Sequence, residues 1–263
     1  MSSHPLDNPI ITSMLFHPRP DRPGNSRVSG AVDGSIPVED KVSLGYRFYV
    51  YKTDAPVILY FHGNGEIAID YDGIARLFFD IGASLLVVDY RGYGWSTGSP
   101  LASKLLSDAE VVVPALPAIL SHAKVGDVPL FLMGRSLGSA PAVHLAYTFP
   151  DRFKGLILES GFADMPSVMR RLGIQPELFS LSEQVLAPVG NARKLQSVKL
   201  PLLVIHGEAD QLLPVEQGQQ LYDASAAENK AILRIPGAGH NNILMVGMER
   251  YFGAIYGFLK AGS

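Results

Sequence analysis

Leu130-Phe131-Leu132-Met133-Gly134-Arg135-Ser136-Leu137-Gly138-Ser139-Ala140-Pro141-Ala142-Val143 is the stretch from which the rest of the chain can be read. Four apolar residues make a short buried strand, and the small residues from Ser139 open a helix. Between them Gly134-Arg135-Ser136-Leu137-Gly138 must turn sharply. Glycines on either side let the backbone tighten without a Cβ clash, so the serine hydroxyl stands at the tip with the helix N-terminus aimed at it. The same Gly-x-Ser-x-Gly spacing recurs at Gly94-Trp95-Ser96-Thr97-Gly98, but inside a run of turn formers with no strand before it and no helix after. Ser136 is therefore the candidate nucleophile, and Ser96 a loop serine.

Outward from the elbow, short apolar runs alternate with helical segments. Strands are expected at 43–52, 57–61, 84–89, 130–133, 155–159, 202–206 and 231–235, with helices at 67–81, 104–122, 139–149, 215–226 and 245–260. Pro114 and Pro117 should break or kink the second helix. This order predicts an α/β protein with a mostly parallel central sheet flanked by helices. Residues 1–40, rich in proline and glycine between 17 and 37, read as an irregular N-terminal arm before a domain at 41–263. Between about 164 and 200 the alternation lapses into an apolar insertion that reads as a small lid, with Met169 and Leu172 as candidate acyl contacts.

Ligands meet such sheets at the carboxyl ends of the strands. The polar residues that follow each apolar run are His62-Gly63-Asn64, Asp89-Tyr90-Arg91, the elbow, Glu159, His206-Gly207-Glu208-Ala209-Asp210 and Gly237-Ala238-Gly239-His240. A serine, an acid and a histidine thus reach one rim in the order Ser136, Asp210, His240, with room for two strand–helix units and then one between them. Serine needs a base to become a useful nucleophile, and histidine needs a carboxylate to hold its tautomer. Backbone N–H groups of Leu137 and Asn64 are the candidate oxyanion donors. Glu159 is a rival acid, while His62 and His206 are expected to hydrogen-bond their own loops. Arg135 either lines the entrance, favouring acidic substrates, or pairs with a carboxylate.

The combination of His62-Gly63-Asn64, Asp89-Tyr90-Arg91-Gly92-Tyr93-Gly94, the Ser136 elbow, 201–210 and Gly237-Ala238-Gly239-His240-Asn241 resembles the α/β-hydrolase superfamily of serine hydrolases, on its Bem46-like and ABHD17-like branch. The resemblance runs from about residue 16 to the end. It implies the α/β-hydrolase fold and an esterase or thioesterase acting through an acyl-serine. The alternatives are a serine aminopeptidase or other acyl transferase on the same triad, and a catalytically silent binding protein of that fold.

Composition narrows the remaining classes. With no cysteine, thiol nucleophiles, thiolate metal sites and disulfides drop out together. A net charge of −3 without a block of like charge gives no electrostatic case for nucleic acid. No metal-binding spacing is seen and no cofactor is expected. The first residues lack the basic start and apolar core of a secretory signal, and no stretch reads as a membrane span, so a cytoplasmic enzyme with a small acyl ester or thioester substrate is expected.

Overall fold

In the computed structural model, which describes residues 4–262, eight strands form one sheet: β1 Ala31–Glu39, β2 Val42–Tyr49, β3 Val57–Phe61, β4 Ser84–Val88, β5 Leu130–Arg135, β6 Leu156–Glu159, β7 Leu202–Gly207 and β8 Lys230–Ile235. Their spatial order is β1-β2-β4-β3-β5-β6-β7-β8. The β1–β2 and β2–β4 pairs are antiparallel and every later pair is parallel. This is the α/β-hydrolase fold expected above.

The inner strands are apolar at nearly every position because both faces are covered. Side chains alternate with period two, so one strand feeds two cores. Val57, Leu59 and Phe61 of β3 join Leu132 and Leu156 in one cluster, whereas Ile58 and Tyr60 join Phe131, Met133 and Ile157 in the other. The first cluster takes in α3 Leu105–His122, α4 Ser139–Thr148 and Leu221 of α8 Val215–Ala224. The second takes in α2 Ala75–Asp80 and α9 Ile243–Ala261.

Three differences from the sequence reading have physical causes. The N-terminal 40 residues are irregular only in part, because α1 Pro9–Leu15 and the edge strand β1 lie within them. The Asp33-Gly34-Ser35 step and Pro37 hide β1 from a periodicity count, yet proline is tolerated on an edge. Asp33 faces Arg47 across the register and accepts two hydrogen bonds from that fully buried guanidinium, at 2.7 and 2.8 Å. Second, α3 runs unbroken through Pro114 and Pro117. Both prolines stand on its exposed side, where water can serve the freed carbonyls, while Val112, Val113, Leu116 and Ile119 pack inward. Third, Ala102–His122 is long and apolar enough to cross a membrane by length and composition. In the fold this segment is a core helix packed against α4 and β1.

The insertion before β7 is helical: α5 Met165–Arg171, α6 Glu183–Leu186 and α7 Asn191–Leu195, joined by short 3₁₀ turns. Asp164 starts α5 by accepting from the Ser167 N–H at 2.8 Å and the Ser167 hydroxyl at 2.7 Å, an N-cap with proline in the first turn.

Candidate active site

The elbow is strained as its sequence requires. Ser136 has φ +50°, the left-handed region that a side chain enters at a cost. The two glycines are there because neighbours press on them. A Cβ on Gly134 would lie 2.2 Å from the carbonyl oxygen of Gly138, and one on Gly138 would lie 1.9 Å from that of Phe61. The second contact seats the elbow against the end of β3, beside the loop that carries Asn64. Ser139 Oγ donates to the Ser136 carbonyl at 2.7 Å, fastening the turn to the start of α4.

Loops after β7 and β8 bring the other two groups to the serine. His240 Nδ1 lies 2.7 Å from Asp210 Oδ2, and His240 Nε2 lies 2.9 Å from Ser136 Oγ. An ionised carboxylate only accepts, so Nδ1–H donates to Asp210 and Nε2 is left to accept the serine proton. Asp210 Oδ1 in turn accepts from the N–H groups of Leu212 and Leu213, at 3.0 and 2.8 Å. All three residues are at most 9% exposed. Burial disfavours the Asp210 charge, but the His206 ring, with Nε2 3.5 Å from Oδ2, the His240 hydrogen bond and the Leu213 N–H together outweigh it and hold the carboxyl well below the usual range.

That depression has a sign that can be tested. A carboxyl held below its unfolded value contributes stability that is fully present above about pH 4 and is lost as pH falls through the folded value. The gap in urea midpoint between wild type and Asp210→Asn should therefore narrow from pH 7 to pH 3. A gap independent of pH would show that the carboxylate's charge contributes nothing to folding.

Ser136 opens onto a cleft of about 80 Å³ whose walls include Asn64 and Leu137 as well as Leu15, Phe162, Met165, Val168, Leu172, Leu212 and Leu213. The two residues named as oxyanion donors thus share the nucleophile's cleft. Asn64 is held from outside, its Oδ1 accepting from the His17 N–H at 2.9 Å and the Tyr93 hydroxyl at 2.7 Å. Leu172 lines the cleft. Met169 does not: it is fully buried in the core, round the helix from the Met165, Val168 and Leu172 stripe that faces Ser136.

Arg135 lies outside this cleft as well. Adjacent strand residues point to opposite faces, so its guanidinium reaches the far side of the histidine loop, where it pairs with Glu66 and Glu159. Glu159 is 2% exposed and takes hydrogen bonds from Arg135 and Tyr251, whereas the His240 ring is bonded to Asp210 and Ser136. His62 and His206 are bonded within their own loops, to Gly63 O and Leu213 O, each at 2.8 Å. His144 is bonded between Glu110 and Lys194. Among the described residues no three histidine or carboxylate side chains converge as a metal-binding set.

Sequence reasoning missed Leu15, Phe162 and the Leu212-Leu213 pair. The pair had a signal, two adjacent apolar residues only one position beyond the acid, after Gln211. Leu15 had none, because it reaches the cleft from the other end of the chain.

A family pattern described as serine aminopeptidase, S33, matches residues 52–195 and 171–244, well over half of the chain. The protein belongs to this serine aminopeptidase S33 family of hydrolases. The chain is 29% identical to protein bem46 of Schizosaccharomyces pombe over 213 residues, 78% of this chain and 67% of that protein, as the Bem46-like resemblance implied. It is 31% identical over 192 residues to the lysophosphatidylserine lipase ABHD12 of Xenopus tropicalis, covering 67% of this chain but only 48% of that relative. Esterase Pf2001 of Pyrococcus furiosus superposes with a TM-score of 0.73 over 94% of this chain and 99% of its own, at 20% identity. At that identity the likeness concerns the fold.

Proposed function

We propose that this S33-family protein is a serine hydrolase that cleaves carboxylic ester or thioester bonds through an acyl-Ser136 intermediate. The observation that carries the reading is the unbroken relay from Asp210 through His240 to Ser136 Oγ at the mouth of an apolar cleft. His240 Nε2 takes the hydroxyl proton as Oγ attacks the carbonyl carbon, then returns it to the leaving alcohol or thiol. Negative charge that develops on the carbonyl oxygen meets the N–H groups of Leu137 and Asn64. Water, deprotonated by the same histidine, then releases the acid.

The family description names an aminopeptidase, whereas Pf2001 is an esterase and ABHD12 a lysophosphatidylserine lipase. An apolar wall beside the serine, with no carboxylate lining the cleft to receive a free α-amino group, favours the acyl ester. Parallel assays with p-nitrophenyl esters, acyl thioesters and aminoacyl p-nitroanilides test this. Turnover of the anilides alone would replace the esterase reading with a peptidase.

The cleft is small, so kcat/KM should peak at short to medium acyl chains, each fitted methylene adding about 0.8 kcal/mol, or roughly fourfold. Leu15→Ala and Leu172→Ala each remove a wall and should move the optimum to longer chains. Met169→Ala should leave the optimum in place and destabilise the fold by about 2–5 kcal/mol, since it hollows the core behind the lid. A shift produced by Met169→Ala and not by Leu172→Ala would put the acyl chain on the other side of α5.

A further inference from the structure

The sequence motif left without a task is Arg135, and the groups around it are unusual for a residue next to a nucleophile. Its Nη2 donates to the His240 carbonyl at 2.8 Å and to Asn241 Oδ1 at 3.0 Å. Nη1 donates to Glu66 Oε1, and Nε to Glu159 Oε1 at 3.2 Å. The carboxylates are themselves fixed by other elements. Glu66 Oε2 accepts from the Gly63 N–H and from the Tyr71 hydroxyl, both at 2.7 Å. Glu159 Oε2 accepts from the Tyr251 hydroxyl of α9 at 2.7 Å. Gly63, in the middle of His62-Gly63-Asn64, makes room for this arrangement, since a Cβ there would stand 2.4 Å from Arg135 Nη1.

One planar cation therefore joins the ends of β5 and β6, the loop that carries Asn64, and the loop that carries His240. The Arg135 side chain is only 11% exposed. Packing alone would not call for a charge here, because replacing a buried ion network by apolar side chains is often neutral or stabilising. What an apolar side chain could not supply is a donor to a backbone carbonyl in a glycine-rich loop. His240 follows Gly237, at φ +73°, and Gly239, so the loop has little stiffness of its own.

We propose that Arg135 is a positioning residue, whose guanidinium, braced by Glu66 and Glu159, holds the His240 loop so that the imidazole meets Ser136. This rests on the serine-hydrolase reading above. Burial pushes the Glu159 carboxyl up, and Arg135 draws it back down. Tyr60, Tyr71 and Tyr251, the phenols near the guanidinium, are held neutral by burial. An arginine-free variant should thus also bind an extra proton at Glu159 at higher pH than wild type does.

The test is chemical rescue in the full-length protein. Wild type, Arg135→Ala and Arg135→Lys are compared in p-nitrophenyl ester hydrolysis and in the rate of fluorophosphonate labelling at Ser136. Arg135→Ala should lower kcat by about 10²-fold, the scale of a misplacement near 1 Å, with KM little changed. Lysine, a point charge without the planar fork, should not restore it. Millimolar guanidinium ion should recover much of the loss, entering by the solvent-open cavity of about 270 Å³ that Arg135 lines with Tyr60, Tyr71 and Asn241; ammonium should not. Wild-type kcat in Arg135→Ala, or a loss that guanidinium leaves untouched in folded protein, would overturn the proposal. If Arg135→Ala does not fold, isosteric Glu66→Gln carries the test: a folded variant should lose about tenfold in kcat at constant KM, and unchanged kcat overturns the proposal. A wild type that neither labels nor hydrolyses esters sinks the hydrolase reading instead, a result distinct from any of these.

Discussion

Ser136→Ala should abolish fluorophosphonate labelling and cut ester turnover by about 10⁶-fold, the scale found when a triad nucleophile is removed, while Ser96→Ala keeps both within a few fold. The two serines share the Gly-x-Ser-x-Gly spacing, and the structure gives them different neighbours. Ser136 Oγ faces His240 Nε2 at 2.9 Å. Ser96 Oγ instead accepts from the Gly45 N–H at 2.7 Å and donates to the Asp89 carbonyl at 3.2 Å, stitching its turn to β2. Losing that stitch should cost about 1 kcal/mol of stability and little activity. Because a hydroxyl deletion at the elbow leaves Gly134 and Gly138 in place, Ser136→Ala should fold with an unchanged melting temperature. Mapping of the labelled peptide decides the matter, and an adduct on Ser96 would remove Ser136 from the mechanism.

The parts of the fold that were legible are those where local pattern and tertiary role coincide. β3 to β7 are buried on both faces, so their apolar runs stand out, and β5 leads into a turn that only glycine can make. β1 was not legible because it is an edge strand in which Asp33 earns its place by pairing with a residue of the neighbouring strand, a contact that no window of sequence contains. The prolines of α3 misled for a similar reason: their cost depends on which side of the helix meets water. At the site, chain order was enough to bring Ser136, Asp210 and His240 to one rim. It could not say which way a side chain points from the last residue of a strand, which is why Arg135 and Ser136, neighbours in sequence, end on opposite sides of the His240 loop. Met169 and Leu172 posed the same question on a helix, and only the docking of α5 answers it. Leu15 shows the limit most clearly, being a cleft wall delivered from a segment with no chemical signature.

Asp210→Asn should lower the acylation rate by about 10⁴-fold, whereas Glu159→Gln should stay within about tenfold of wild type. From sequence the two acids were rivals, since both follow strands at the same rim. Their surroundings separate them. Asp210 Oδ2 touches His240 Nδ1, and the two N–H groups on Oδ1 keep the carboxylate aimed at the ring. An asparagine there presents an amide that can donate, which favours the tautomer carrying its proton on Nε2 and leaves no acceptor for the serine. Glu159 meets Arg135 and Tyr251 only, so an amide in its place retains an oxygen for one of them and reaches the imidazole through nothing shorter than the Arg135 bond to the loop backbone. Pre-steady-state release of p-nitrophenol measures acylation directly, and circular dichroism confirms that each variant is folded. A large loss in Glu159→Gln with a small one in Asp210→Asn would transfer the acid to β6 and would require the histidine loop to move away from the position in which Arg135 now holds it.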